Sequence, residues 1–341
     1  MNQKYFVGID ISKAKLDVAV MDASYQILLE KVIANNEAKI RTMLSAIRRK
    51  LKVSAEQIMV CAEHTGIYSN PLSVVCEEMS VFLWLENAIK IKKASTDIRG
   101  KSDQKDARRI AEYAVRYADK AIAFQRPDEF TRELQALVHV RGTLIEQRVG
   151  IENQLREAKS HNQELNSTLS KQLKPVLKTL TKQIEHVEKQ IEAMVEQNPE
   201  VANNAELLQS IPGVGKQTAL MFILLSGNFT LFESAKHMAC YAGVVPFPNQ
   251  SGTIIRKERV SRQANQMLKK LLHLAAMAAT RAAGDLREYF IRKVKEGKNK
   301  MSVINAIRNK LVHRMFSVIK RQTPYVINRQ ESFNEDSLNI A

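Results

Sequence analysis

Apolar and polar positions alternate through the first 34 residues of the chain. The stretches KYFVGIDIS, KLDVAVMDA and YQILLEKVIA are separated by short turns, which predicts three consecutive antiparallel strands. A helix near 37–51, the strand IMVCAEHTG, a helix near 70–79, the strand VFLWLEN and a basic helix that contains two aspartates follow. Strands followed by alternating helices and strands are the order of an α/β domain.

Residues 128–199 carry a helical pattern in which glycine almost vanishes. Apolar residues recur at steps of four and three, the spacing of a coiled coil, at Leu173, Leu177, Leu180, Ile184, Val187, Ile191 and Met194. An earlier arm keeps this register but places Arg141 and Arg148 at two seam positions. The polar stretch 160–170 predicts a hairpin tip, and Pro175 is expected near a helix start or at a kink. An intramolecular hairpin and an intermolecular coiled coil both fit this pattern, and either forms a stalk between two globular ends.

The chain after Pro199 predicts a helical domain with three basic helices, over about 265–282, 285–296 and 303–321. The predicted organisation is therefore an α/β domain over 1–122, a coiled-coil linker over 123–200, an all-α domain over 201–327 and a flexible tail over 328–341. The formal net charge is +16, and residues 201–341 carry 21 Lys and Arg against 9 Asp and Glu. Such an excess favours a nucleic-acid partner over a membrane.

The cysteines and the hydropathy of the chain indicate the cellular compartment in which the protein is expected. Cys61, Cys76 and Cys240 lie far apart without a CxxC pair, so buried thiols in a reducing cytosol are expected rather than disulfides or zinc. No secretory pattern and no apolar run of about 18 residues is present. We therefore expect a cytoplasmic, nucleoid-associated protein without membrane contact.

Two carboxylates stand at unusual places in the predicted strands. Asp10 lies within the apolar strand YFVGIDIS, and Glu63 ends the strand IMVCAEHTG. A carboxylate inside an apolar strand is costly unless it is paired or binds a cation. A strand end or an ordinary hydrogen bond is the alternative explanation for each of them.

Two further aspartates, Asp103 and Asp106, lie three residues apart and share one face of the basic helix. Taken as an isolated pair, they predict a helix cap with Asp103 at the N-cap position. Together with Asp10 and Glu63 they supply the oxygen ligands of a two-metal phosphoryl-transfer site for Mg²⁺, with Mn²⁺ as an alternative. The basic neighbours predicted to hold phosphate are Lys101, Lys105, Arg108 and Arg109.

Two motifs in the last third point to DNA. IPGVGK, residues 211–216, lies between helices, and its Gly213, Gly215 and Lys216 predict a helix-hairpin-helix contact to phosphate; an ordinary Pro-Gly turn is the alternative. The loop NQSGT places Ser251 shortly before a basic run consisting of Arg256, Lys257, Arg259 and Arg262. From the residues alone Ser251 reads as a turn residue, and nucleophilic attack by its hydroxyl on a phosphate is an open hypothesis.

These motifs in this order, GIDIS, AEHTGIY, KSDQKDAR, SIPGVGKQTA and YAGVVPFPNQSG before SRQAN, resemble the insertion-sequence 110 family of DEDD transposases, which includes Piv-type DNA invertases. The resemblance covers nearly the whole chain. It implies a RuvC-like RNase H fold whose four acids match Asp10, Glu63, Asp103 and Asp106, a coiled-coil linker, and a C-terminal transposase domain whose serine matches Ser251. It also implies strand cleavage and rejoining through a phosphoserine with Mg²⁺, in a dimer or tetramer on double-stranded DNA. A structured noncoding RNA is expected as guide in the insertion-sequence branch.

The sequence departs from that family's pattern at two places. His64 stands where an alanine is common, which could alter metal geometry, and Ala264 replaces a glycine in SRQAN, which puts the local turn in doubt. Asn265 can still cap the next helix, and Arg256 is retained as a phosphate clamp. The rival hypotheses are an invertase without RNA guide, a RuvC-like junction nuclease that uses water, and a non-enzymatic architectural DNA-binding protein.

Overall fold

The computed structural model describes residues 3–94, 103–161, 163–251, 254–260 and 264–326. It divides into two compact units, Met1–Pro127 and Asp128–Ala341. Within these ranges, side chains are described except for residues 103, 163–166, 248–251 and 254–259. The tail predicted to be loose, 328–341, lies outside the described residues.

The first unit is built on a five-stranded mixed sheet. Its strands are β1 (Tyr5–Ile11), β2 (Lys15–Asp22), β3 (Ile27–Ala34), β4 (Ile58–Glu63) and β5 (Phe82–Glu86). The order is β3-β2-β1-β4-β5, with antiparallel pairing among the first three strands in sequence and parallel pairing of β1 with β4 and of β4 with β5. The predicted α/β character and all five predicted strands are confirmed.

Helices cover both faces of this sheet because its central strands are apolar on both sides. The helices are α1 (Glu37–Leu51), α2 (Asn70–Glu78), α3 (Ala88–Ala94) and α4 (Asp103–Arg116). Val7 and Ile9 of β1 belong to a core with α1 and α2, whereas Phe6 belongs to a core with α4. Helix α3 was not predicted; it is one of the shortest helices and carries three lysines.

The second unit begins with two long helices, α5 (Glu129–His161) and α6 (Gln163–Gln197), which pack against each other within the chain. Leu134 of α5 meets Val187 and Ile191 of α6 in a buried apolar cluster. Arg141, one of the two arginines at predicted seam positions, is half-buried, and its Nε donates to Glu188 Oε1 at 2.7 Å. The intramolecular arrangement is therefore the one observed.

Two details of that hairpin refine the sequence analysis. The boundary between α5, which ends at His161, and α6, which starts at Gln163, falls within the predicted tip 160–170, but most of that stretch is helical. Pro175 lies inside α6, so the position near a helix start is wrong and the kink stays a prediction. Its missing N–H removes one helical hydrogen bond.

The remaining helices form the larger core of the second unit. They are α7 (Pro199–Gln209), α8 (Lys216–Ser226), α9 (Ala235–Tyr241), α10 (Gln266–Arg281), α11 (Asp285–Lys295) and α12 (Lys300–Arg321). Asn198, Asn265 and Asn299 cap α7, α10 and α12 through their side-chain oxygens. The three predicted basic helices are confirmed.

The prediction that this part is all-α was wrong in one segment. Residues predicted as the loop around Ser251 form a two-stranded antiparallel ribbon of β6 (Pro246–Ser251) and β7 (Ile254–Val260). Pro246 and Pro248 argued against a strand, but proline is tolerated where a strand lies at a sheet edge. A ribbon of two strands consists of edges only.

The cysteines are free thiols in this fold. Cys61 and Cys76 are buried and Cys240 is half-buried. Burial raises the pKa of both buried thiols, that of Cys76 to about 12. Through the part of the chain that the structure describes, no helix is both long and apolar enough to cross a membrane.

Candidate active site

Asp10 lies near the carboxyl end of the central strand β1, on the sheet face that α4 covers. Side chains two apart share a face, so Asp10 shares the face of Gly8. A Cβ on Gly8 would lie 2.2 Å from the backbone N of Ala111 and 2.3 Å from the backbone O of Ala107, both in α4. Glycine at position 8 and alanine at positions 107 and 111 therefore allow the helix backbone to rest directly on the strand, next to Asp10.

Glu63 lies at the end of β4, one strand away from Asp10. The parallel register pairs Ile9 with Ala62, which places the next residues, Asp10 and Glu63, side by side. The pKa of Glu63 is raised above its ordinary value, mainly by burial and then by the charges of Asp10 and Asp106. Asp10 and Asp106 are thus both close enough to Glu63 for their charges to act on its carboxylate.

Helix α4 supplies the other two predicted acids. Asp103 is the first residue of α4. Its side chain is not described, so neither its predicted role as a helix cap nor its predicted role as a metal ligand is tested. Asp106 lies one turn later, and its Oδ1 accepts a hydrogen bond from Arg109 at 2.8 Å. Asp106 is therefore ion-paired at the same time as it faces Glu63.

Two carboxylates that the sequence analysis missed extend this group across the sheet. Asp17 of β2 pairs with Asp10, and Glu86 of β5 pairs with Glu63. Glu86 is held by Lys90, 3.1 Å away, and accepts a hydrogen bond from Tyr113 at 3.3 Å. The alternation in KLDVAV and FLWLE already placed both acids on the same strand faces as buried apolar residues, and this signal could have identified them.

The donor chemistry of this group fits a hard divalent cation, because carboxylate oxygens are the ligands that Mg²⁺ prefers and mutual repulsion is relieved by a cation. The side chains described here nevertheless include no group of three or more His, Cys, Asp and Glu arranged to hold a metal ion. The set of four predicted ligands also includes Asp103, whose side chain is not described. His64, a departure from the family pattern, packs its ring edge-on against Phe124.

The basic residues predicted on α4 have different surroundings. Arg108 forms an ion pair with Glu30 of β3, whereas Arg109 binds Asp106. Lys105 is exposed, and Lys101 lies outside the described residues. Arg109 thus contacts the carboxylate group directly, through Asp106.

The IPGVGK motif forms the turn between α7 and α8. Gly213 has φ +91°, and a Cβ there would lie 2.4 Å from the carbonyl oxygen of Ala275 in α10, so packing as well as conformation requires glycine. Gly215 is the N-cap of α8 and faces open space. Lys216 forms an ion pair with Glu192 of α6 at 2.8 Å, which raises the pKa of Lys216.

Ser251 is the last residue of β6, paired with Ile254 of β7. Arg256 pairs with Asn249 and Arg259 with Phe247, which aligns the basic strand with the serine strand. Lys257 lies in β7, and Arg262 lies outside the described residues.

The base of this ribbon is fixed by two asparagines. Asn305 of α12 donates to the carbonyl of Val244 at 2.8 Å, and the backbone N–H of Asn265 donates to that of Tyr241 at 3.1 Å. The Oδ1 of Asn265 accepts from Leu268 N–H at 2.9 Å, which confirms the expected helix cap. Ala264 is not among the described residues with positive φ, so alanine causes no backbone strain there.

Comparison with known proteins gives two family matches in separate parts of the chain. Residues 7–158 match a model described as "Transposase", named for DEDD transposases of the IS110 type, and residues 205–290 match "Transposase IS116/IS110/IS902 family". The "Pilin gene-inverting protein" of Moraxella bovis is 24% identical over 94% of this chain and 98% of its own. The "Transposase for insertion sequence element IS1111A" of Coxiella burnetii is 26% identical over 66% of this chain and 68% of its own.

Among solved structures, Thermus thermophilus RuvC in complex with a Holliday junction substrate matches 36% of this chain and 98% of its own. The sequence identity is 14% and the TM-score is 0.29.

Proposed function

The chain belongs to the IS110 family of transposases, a family of DNA recombinase-type enzymes, and from this premise we propose that it cuts and rejoins DNA strands through a covalent link between Ser251 and a DNA phosphate. The observation that carries the proposal is the grouping of Asp10, Glu63 and Asp106: the strand register sets Asp10 beside Glu63, and the charges of Asp10 and Asp106 contribute, after burial, to the raised pKa of Glu63. The strand order of the first unit supports a RuvC-like RNase H fold for that grouping.

In the proposed first step the hydroxyl of Ser251 attacks the phosphorus. The P–Oγ bond forms, the P–O3′ bond breaks, and the serine proton ends on the released 3′ oxygen. In the second step a 3′ hydroxyl of another strand attacks the phosphoserine, so that a P–O3′ bond forms again and the serine is regenerated. One phosphodiester is broken and one is made, and no nucleotide triphosphate is consumed.

The carboxylates of the first unit would hold Mg²⁺, with Mn²⁺ as the alternative. When bound, the cation supplies Lewis-acid stabilisation of charge on the phosphate oxygens. The residues that would hold it are Asp10, Glu63, Asp103 and Asp106. The half-buried setting of Glu63 keeps water away from one side of this group and strengthens its attraction for a cation.

The basic residues around the serine would orient the DNA. Arg256, Lys257, Arg259 and Arg262 would bind phosphates next to the cleaved one, and Arg256 has the planar fork for a bidentate contact. Gly213, Gly215 and Lys216 at the start of α8 would bind the DNA backbone further along, together with Lys101, Lys105, Arg108 and Arg109 of the first unit. Lys216 must exchange Glu192 for phosphate to do so.

Trapping the covalent intermediate tests the proposal. On a nicked suicide substrate, the protein should form a protein-DNA adduct, and Ser251→Ala should lower adduct formation by at least about 10³-fold while changing DNA affinity by less than about twofold. Ser317→Ala, which removes an exposed hydroxyl from α12, is the matched control. Strand joining by Ser251→Ala at the control's rate would exclude this serine as the nucleophile, and nicking without any adduct would favour the water-using junction nuclease.

A second candidate, a DNA invertase, rests on a specific observation. The chain is similar over almost its whole length to the pilin gene-inverting protein, which by its name inverts a gene. Inversion and transposition use the same cleavage and joining steps, so the two differ in the DNA that is brought together. Recombination assays on plasmids that carry the DNA flanking the gene, in inverted and in direct orientation, distinguish them.

Partners other than DNA are also part of the proposal. We expect a homo-oligomer, dimer or tetramer, and a structured noncoding RNA as guide. Light scattering of the purified protein measures the oligomeric state. If an RNA guide is used, ribonuclease treatment should abolish recombination, and adding transcript from the flanking region should restore it.

A further inference from the structure

Asp17 is a buried carboxylate that the four predicted ligands do not include. It is 3% exposed and lies on the face of β2 that carries Ala19 and Met21, which pack against α4. Its direct cross-strand partner is Asp10. Burying a carboxylate is unfavourable, and so is placing it directly opposite a second one, unless a cation stabilises the pair.

Lys15 is the cation that Asp17 holds. Its Nζ lies 3.1 Å from Asp17 Oδ2, and 44% of the lysine side chain is exposed against 4% of the aspartate side chain. The backbone of Lys15 is fixed through Ser12, whose Oγ donates to the carbonyl of Lys15 at 2.8 Å and accepts from its N–H at 3.2 Å. An ammonium at the surface is thus held by a buried carboxylate and a fixed backbone.

The position of this ammonium is specific. Lys15 starts β2, opposite the end of β1, which is the end of the sheet where Asp10 and Glu63 lie. Replacing a buried ion pair by apolar residues is often neutral or stabilising, so stability alone gives weak reason for a charged Asp17 in the interior. Two other carboxylates of the site have cations as well, Arg109 on Asp106 and Lys90 on Glu86. Cations around a carboxylate group suit a ligand that brings its own negative charge.

We propose that Lys15 contacts a non-bridging oxygen of the DNA phosphate at the carboxylate site, and that Asp17 is the positioning residue that holds its ammonium there. The inference rests on the proposed function, since it assigns a substrate contact within the same site. It adds a residue from β2 to a site otherwise drawn from β1, β4 and α4.

Salt dependence of DNA binding without added metal tests the contact independently of catalysis. A lysine that neutralises one phosphate adds about 0.9 to the slope of log affinity against log salt. Lys15→Ala should lower that slope by about one, and Lys15→Arg should retain it. The control is Lys31→Ala on the adjacent strand: Lys31 is exposed and pairs with Val18, whose side chain belongs to the opposite core. This control should keep the wild-type slope.

Cleavage at saturating DNA and Mg²⁺ tests the role in the reaction. Lys15→Ala should slow adduct formation by about 10²-fold, the typical effect of removing one donor that stabilises charge in the transition state, and added ethylammonium should restore part of the rate. Asp17→Asn should slow it less, and the double variant should be no slower than Lys15→Ala. Thermal unfolding of each variant verifies that it folds. If Asp17→Asn does not fold, Lys15→Arg is the variant that tests the contact.

Two results would overturn the inference. One is a Lys15→Ala protein with the salt slope and cleavage rate of Lys31→Ala. The other is an unchanged slope with a lower Mg²⁺ requirement, because Lys15 would then be only a counter-ion of the carboxylates. Asp10→Asn separates this failure from that of the proposed function: if Asp10→Asn cleaves at the wild-type rate, the carboxylate site itself is misassigned.

Discussion

The carboxylate site and the serine ribbon are built in opposite ways. Asp10 and Glu63 lie on central strands of a five-stranded sheet, half-buried beneath a helix whose backbone touches Gly8. Ser251 lies at the end of a ribbon whose strands pair only with each other in the described part of the second unit. An isolated pair of strands is marginally stable in water.

This difference indicates which part of the proposed reaction each region would carry out. Electrostatic stabilisation is effective only where charges are held in advance of the reaction, and the sheet provides that. A nucleophile must reach a phosphate and later release it to another strand, and a ribbon anchored at its base by Asn265 and Asn305 suits this role. The predictions below change one half at a time.

Neutralising an acid in the first unit should have the largest effect. Asp10→Asn should lower the rate of strand cleavage by about 10³-fold or more, because the variant loses a charge that would hold the cation, while DNA affinity stays within about twofold. Gel-based cleavage and binding assays on the same DNA measure both. If instead neither the wild type nor Asp10→Asn cleaved DNA that both bind, the architectural DNA-binding protein would be favoured.

A methyl group at Gly8 should disturb the carboxylate site through packing alone. The new Cβ collides with the backbone of α4, so Gly8→Ala should destabilise the fold by about 1–3 kcal/mol and displace Asp106 relative to Asp10. Denaturant unfolding and cleavage assays report the two effects.

The matched control is Gly150→Ala, in α5. A Cβ there meets nothing within 4 Å, so the variant should gain about 0.5–1 kcal/mol of helix stability and cleave normally. If Gly8→Ala and Gly150→Ala behaved alike, α4 would not rest on β1 as described.

The second unit contains a pair of one arginine and one histidine whose contribution to stability depends on pH. Arg308, 8% exposed, contacts His273 Nδ1 at 2.6 Å, and burial together with the Arg308 charge lowers the pKa of His273 below its ordinary 6.5. A lowered histidine pKa means that the folded state binds fewer protons than the unfolded state. Stability is therefore present above about pH 6.5 and is lost as the pH falls through the lowered pKa.

Thermal unfolding between pH 8 and pH 5 measures this effect, which should be the smallest of the three. His273→Gln keeps a polar side chain without the titration, and its unfolding temperature should depend less on pH than that of the wild type. His313→Gln, at an exposed position of α12, is the control. Equal pH dependence in both variants would contradict the assignment.

The strands of the first unit were predicted well because their apolar and polar positions alternate regularly. The strand alternation could have identified Asp17 and Glu86 as acids on buried faces, but their place directly beside Asp10 and Glu63 follows from strand register, which the folded sheet defines. The ribbon around Ser251 was missed because Pro246, Pro248 and a glycine read as a loop. The partner of Arg141 was likewise hidden, since the residue that compensates it is 47 positions away.

Locating the covalent link most directly tests the claim that the carboxylate site and Ser251 act on the same DNA phosphate. Adducts trapped on the suicide substrate would be digested and their modified residue identified by mass spectrometry, for the wild type and for Asp10→Asn. We predict a nucleotide attached to Ser251 in the wild type and about 10³-fold less of it in Asp10→Asn. Attachment at another residue, or equal amounts of the Ser251 adduct in both proteins, would contradict the account.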